Sequence, residues 1–122
     1  MKKHYLILAT LILAQLSFGQ IVNIPDANFK NALLTHSPTI DTNSDGDIQV
    51  SEAEAAFSLT VSSKSIASLE GIQSFVNLET LYCTNNQLTD LDVSNLVNLK
   101  YFYCGNNKLQ WLNMSGLGIS YI

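Results

Sequence analysis

Apolar and polar positions follow three different patterns along this chain, and each predicts a different element. Tyr5 to Leu16 is an almost unbroken apolar run, interrupted only by Thr10 and Gln15. Further on, Phe29, Ala32, Leu33 and His36 recur at i, i+3, i+4 and i+7. That spacing predicts an amphipathic helix of about ten residues, with Asp26 as its N-cap and Ser37-Pro38 as its stop. The stretch 41–52 is then almost wholly polar, with Ile48 and Val50 as its apolar residues, and a second short helix is predicted over Glu52–Phe57. From Leu59 onward the apolar residues come in short, regularly spaced pairs, the pattern of brief strands rather than helices.

That last region repeats itself. Leu78, Leu81, Cys83, Asn86, Leu88, Leu91 and Val93 recur as Leu99, Phe102, Cys104, Asn107, Leu109, Leu112 and Met114, each pair 21 positions apart. An earlier, degenerate copy runs through Leu59, Val61, Lys64, Ile66 and Leu69, 22 positions ahead of its counterparts, with Lys64 in the place of the Asn. A fixed period of this size signals stacked structural units, each burying its apolar face against the next. Alternation within Leu81-Tyr82-Cys83 sends Leu81 and Cys83 inward and Tyr82 outward. The second half of each unit, as in Leu88 to Val93, reads as an extended return, so the region is expected to be all-β. Asn86 and Asn107 are expected to face the turn and satisfy backbone groups of adjacent units.

Charge narrows the function classes. The chain has 122 residues, 6 Lys+Arg (all of them Lys) against 10 Asp+Glu, and a formal net charge of −4. With no clustered basic residues, nucleic acid is not an expected partner. Lys2 and Lys3 precede the apolar run, and Ser17 and Gly19 put small residues at −3 and −1 of a cleavage site before Gln20. Residues 1–19 therefore read as a secretory signal peptide. The run is too short to span a bilayer, which needs ~20 apolar residues, so no transmembrane segment is expected in the mature chain. No Cys follows the site to carry a lipid.

The polar stretch carries the most specific local signal. Asp41-Thr42-Asn43-Ser44-Asp45-Gly46-Asp47-Ile48-Gln49-Val50-Ser51-Glu52 fits D-x-[DN]-x-[DN]-G-x5-E at every fixed place. Ca²⁺ is a hard cation that takes six to eight oxygens. Asp41, Asn43 and Asp45 offer side-chain oxygens at alternate positions, Asp47 a backbone carbonyl, Gln49 a direct or water-mediated contact, and Glu52 a bidentate carboxylate. Gly46 allows the bend and Ile48 pins the loop to the core. The loop resembles an EF-hand, or the EF-hand-like loops of secreted bacterial modules, with two departures: Pro38 interrupts the approach, and no second loop is present to pair with it.

With the repeat, these features resemble the secreted bacterial leucine-rich-repeat proteins, internalin-like in plan and of the type found in Bacteroidetes. The repeat form L-x-x-L-x-C-x-x-N-x-L-x-x-L-x-V and the acidic loop before it carry the resemblance, over about Asn23 to Met114. It implies an α+β chain: a small helical EF-hand-like cap over 20–58, then a short right-handed leucine-rich-repeat β-solenoid over 59–122. The repeats count as one degenerate, two complete and one cut short after Leu117. It also implies an exported, cell-surface or secreted module that recognises a protein or a glycan, with Ca²⁺ stabilising the cap. The alternative is a truncated structural remnant of a longer repeat protein, without a partner of its own. In such families the cap shields the end of the first coil, a task expected here of Ile24, Phe29, Leu33, Ile48 and Phe57.

Tyr82, Thr84, Tyr101 and Tyr103 are the candidate partner-binding residues, on the outward side of the strands; the competing reading is that Tyr is simply common in strands. Cys83 and Cys104 share one inward position, where a buried thiol ladder is favoured over a disulfide. Trp111, on the return half, reads as half-buried surface. Catalysis is not expected: His36 is the one imidazole left after Gln20, and no nucleophile–base set or phosphate loop is present.

Overall fold

The computed structural model describes residues 19–120. The signal-peptide reading, apart from Gly19, and the last two residues lie outside these. Helix α1 spans Ala27–Leu34. Asp26 caps it, Oδ1 accepting the Phe29 N–H at 2.9 Å, and it buries Phe29, Ala32 and Leu33. His36 falls beyond its C-cap, Thr35, so it belongs to the exit turn rather than to the helix face. Helix α2 is Val50–Glu54. It starts two residues earlier than its apolar pattern suggests, because Gln49 and Glu52 close its first turn: Glu52 Oε2 accepts the Gln49 N–H at 3.0 Å.

The acidic stretch finds a pairing partner in the residues before α1. Ile21 and Gln49 form an antiparallel bridge. It is flanked by Val22 N–H to Ile48 O and Val50 N–H to Gln20 O, both 2.8 Å. The segment 20–22 thus pairs with the end of the acidic stretch, and Ile48 is completely buried behind it.

Five three-residue strands follow: β1 Ser58–Thr60, β2 Thr80–Tyr82, β3 Asp90–Asp92, β4 Tyr101–Tyr103 and β5 Trp111–Asn113. β1, β2 and β4 make one parallel sheet in that order, and β3 and β5 a second. Leu59, Leu81 and Phe102 are register partners, all fully buried. Leu91 and Leu112 pair likewise in the second sheet. Successive repeats are therefore in phase, and one apolar column runs beneath both sheets from Phe29 to Phe102. The first copy departs from the expected all-β return. There Ile72–Ser74 is a 3-10 turn entered through Gly71 at φ 105°, so the second sheet has two strands.

Asparagine side chains lock the repeats at two corners. Asn86 Oδ1 accepts Lys64 N–H at 3.0 Å and Ile66 N–H at 3.1 Å, while its amide donates to Val61 O at 2.9 Å and Cys83 O at 3.1 Å. Asn107 does the same one repeat on, accepting Leu88 N–H and donating to Cys83 O and Cys104 O. Lys64, without an amide to offer, enters the first copy through its backbone. At the opposite corner Asn77 donates to Glu54 O and Asn98 to Val76 O. Ser120 N–H reaches Lys100 O at 2.7 Å, so the chain after Leu117 is already turning alongside β4.

The cap is fastened to the first repeat by polar contacts the apolar pattern does not announce. Asp26 Oδ2 accepts the N–H groups of Ala67 and Ser68, and Asn28 donates to Ser65 O. His36 Nε2 accepts Thr60 N–H at 3.0 Å, which leaves Nδ1 as the protonated nitrogen facing Pro38 O at 2.9 Å. Gly71 is a point of contact where a Cβ would stand 2.8 Å from Asn23 O. Of the residues expected to shield the first repeat, Phe29, Leu33 and Ile48 are fully buried and Ile24 is packed on the core. Phe57 is not one of them: it is 62% exposed, because it precedes β1 and its carbonyl, accepting from Glu79 and Thr80, is what holds it. No helix among the described residues is long and apolar enough to cross a membrane.

Candidate functional site

The 41–52 loop folds around its own backbone. Asp41 accepts the N–H groups of Asp45 at 3.3 Å and Gly46 at 3.1 Å. Asn43 Oδ1 accepts Asp45 N–H, and Asp45 Oδ1 accepts Asp47 N–H at 2.9 Å. Gln49 donates to Asp45 Oδ2 at 2.6 Å, and Asn43 reaches both Asp45 and Gln49. Glu52 closes the ring from the far end: Oε1 accepts Thr42 N–H at 2.9 Å, the Thr42 hydroxyl and Asn43 N–H. Gly46, at φ 84°, provides the left-handed turn on which the loop bends. Asp47 faces the other way and pairs with Lys30 at 2.6 Å.

Five of the six candidate ligands, Asp41, Asn43, Asp45, Gln49 and Glu52, are thus brought together by side chain, and Asp47 remains in the loop by backbone only. Asp41, Gln49 and Glu52 are buried; Asn43 and Asp45 are exposed. Hydrogen bonding from the Asp47 backbone outweighs burial and holds the Asp45 carboxyl below its ordinary range. Among the described residues no three His, Cys, Asp or Glu side chains converge as a ready cation cluster; the carboxylate oxygens are turned to N–H donors instead.

The three-stranded sheet presents two outward rows. One runs Ser58, Thr80, Tyr101 and the other Thr60, Tyr82, Tyr103, each set in register. The rings of Tyr82 and Tyr103 stack with centroids 4.9 Å apart and planes 3° from parallel. Tyr82 and Tyr101 are 39% and 41% exposed. Thr84 is not available in the same way: its hydroxyl is engaged by Ser62 at 3.0 Å. The strand ends and stacked rings give a rigid, uncharged strip, bordered by the Glu79–Lys100 ion pair.

Beneath the strip, Cys83 and Cys104 are both free. Burial, with the second thiol as a smaller contribution, pushes the Cys83 thiol up to about 12, and burial also raises that of half-buried Cys104. Both are packing groups in the thiol form at neutral pH. Sequence reasoning did not find the double role of Asp26, the Thr60 contact of His36 or the docking of the cap on Gly71. Each joins residues too far apart in the chain for a local pattern to register.

Residues 76–117 match the leucine-rich-repeat family model, two copies. The functional domain of internalin InlJ from Listeria monocytogenes, described as including a cysteine ladder, matches with a TM-score of 0.66 and 31% identity, over 85% of this chain and 24% of that one. Internalin InlF from the same species gives 0.60 and 28%, over 73% and 29%. A structure of the CBM51-2 and INT domains of Clostridium perfringens ZmpB gives 0.58 and 28%, over 69% and 17%. The chain spans less than a third of the length of each of these. No curated protein matches it in sequence. The chain therefore carries leucine-rich repeats and shares its fold with internalins.

Proposed function

We propose that this chain is an exported recognition module that presents the β1–β2–β4 face to a protein or glycan on or near the cell surface, with Ca²⁺ held in the 41–52 loop. The observation that carries the reading is the Tyr82–Tyr103 stack. It is a pre-ordered aromatic pair on a sheet whose inner face is sealed and whose outer face leaves Tyr82 and Tyr101 exposed among the described residues. Aromatic rings held this way bind at low entropic cost, since little rotamer freedom remains to be lost. The internalin likeness supports an outward-facing binding role, and the apolar run at 5–16 supports export.

The loop chemistry suits calcium. Its donors are hard oxygens alone, Asp47 keeps its carbonyl for the loop while its carboxylate goes to Lys30, and Glu52 bridges the two ends. A bound Ca²⁺ would supply a fixed double charge at the centre of a loop that otherwise crowds four carboxylates into twelve residues. The role of the surrounding residues is to orient oxygens and to transmit rigidity through Ile48 and α2 to β1.

The test is binding of the labelled chain to a glycan panel and to exposed host or bacterial cell-surface protein, beside a Tyr82→Ala/Tyr103→Ala variant. Binding lost in a variant that unfolds at the same temperature supports the reading. Binding that survives the double substitution, or none by the parent chain, overturns it.

A further inference from the structure

The second sheet stops at β3 because the first repeat passes there as a 3-10 turn. The space left between them is a cleft of about 170 Å³. Glu70 and Gln73 line it from the first repeat, Asp90 and Asp92 from β3, and Trp111, the register partner of Asp90, from β5. It lies on the return half of the repeats, not among the tyrosines.

We propose that this cleft is a second recognition site, one that takes the arginine side chain of a protein partner. The indole of Trp111 is 53% exposed, and Trp is the ring on which a cation binds best. Beside it stand carboxylates with no cation of their own. The ion pairs among the described residues are Lys30–Asp47 and Lys100–Glu79, neither of them here. Among the described residues Asp90 accepts the neighbouring Thr89 hydroxyl, and Asp92 is fixed by the N–H and hydroxyl of Ser94. Gln73 is held in place at both ends, accepting Gly71 N–H and donating to Asp92 O, so the floor is set before any ligand arrives.

A guanidinium matches this set better than the alternatives. Its plane can lie on the indole while its edge forks to a carboxylate, which an ammonium does less well. A neutral sugar would leave the charges of Glu70, Asp90 and Asp92 facing one another. The cleft also has room for one long side chain rather than an oligosaccharide.

Trp111 is the only Trp among the 122 residues, so its fluorescence reports this cleft directly. The full chain is titrated at low salt with N-acetyl-Gly-Arg-Gly-amide, with the citrulline peptide of the same shape, with N-acetylglucosamine, and with CaCl₂ alone. A saturable change with the arginine peptide is expected in the millimolar range, at least tenfold weaker with citrulline and weaker again as salt rises. Glu70→Gln/Asp90→Asn, whose positions lie outside the core, should weaken it about tenfold or more. Equal response to citrulline, or an unchanged response in the double variant, overturns the proposal. So does saturation by the sugar or by calcium alone. The citrulline contrast stands on the parent chain even if the variant folds poorly.

Discussion

Asp26 and Ala67 are 41 residues apart, and one carboxylate joins them: Oδ2 accepts the Ala67 N–H at 3.0 Å while Oδ1 caps helix α1. A single side chain thus both starts the cap and ties it to the repeats. Asp26→Ala should destabilise the chain by about 1–2 kcal/mol, the upper part of the usual N-cap range because the Ala67 and Ser68 donors are released as well. Thermal unfolding measures it.

The same group sets an acid limit. Burial opposes ionisation of Asp26, but hydrogen bonds from Phe29, Ala67, Ser68 and Asn28 prevail and leave its carboxyl below the ordinary 3.8. A lowered folded-state value contributes stability that is fully present above the unfolded value and disappears as pH falls through the folded one. Stability should therefore drop below about pH 4, and an Asp26→Asn variant should lack that part of the drop. Parallel acid unfolding curves for the two chains would refute this.

Calcium at about 100 times its dissociation constant should add roughly 2.7 kcal/mol to unfolding, with an affinity of about 10⁻⁴ to 10⁻³ M. Glu52→Ala should abolish the gain and also cost stability without calcium, since Glu52 closes α2 and the Thr42 end of the loop. Because the loop pairs with segment 20–22 and not with a second loop, the binding curve should be hyperbolic. A calcium-indifferent transition would leave the stretch as a turn and nothing more.

Two further substitutions test how the repeats are joined. Asn86→Ala removes the acceptor for Lys64 and Ile66 N–H and the donor to Val61 and Cys83 carbonyls, all at a buried corner. A loss of about 3 kcal/mol is expected from stranded polar groups. Gly71→Ala meets Asn23 O and Ile24 at a positive φ, and should cost about 1–3 kcal/mol. Equal melting temperatures for parent and variants would contradict both.

The thiols give a chemical check. Native protein at pH 8 should show two free thiols by mass spectrometry under non-reducing conditions, with Cys83 resisting alkylation until unfolding, as its burial requires.

The repeats could be read from the chain because their cause is local: an inward residue every second position, and an Asn 21 places from its copy. Leu81, Phe102 and Asn86 stand where that spacing puts them. What could not be read depends on closure in space. The family resemblance implies a shielding role for Phe57, yet its carbonyl and not its ring is what the fold uses. Trp111 is half-buried surface as its place on the return half predicts, but the cleft beside it could not be read, since it exists only because the degenerate first repeat turns at Gly71 without forming a strand. Likewise the pairing of Val22 with Ile48 spans α1, beyond the reach of any short motif.

The phase-locked Asn corners have an evolutionary consequence. Asn86 and Asn107 each donate to one carbonyl of their own repeat and one of the repeat before, so a copied 21-residue unit set between Val93 and Leu99 would bring the same carbonyl bonds to its new joint. Proteins built this way can change length by gene duplication in a single step, gaining binding surface without redesigning what lies on either side.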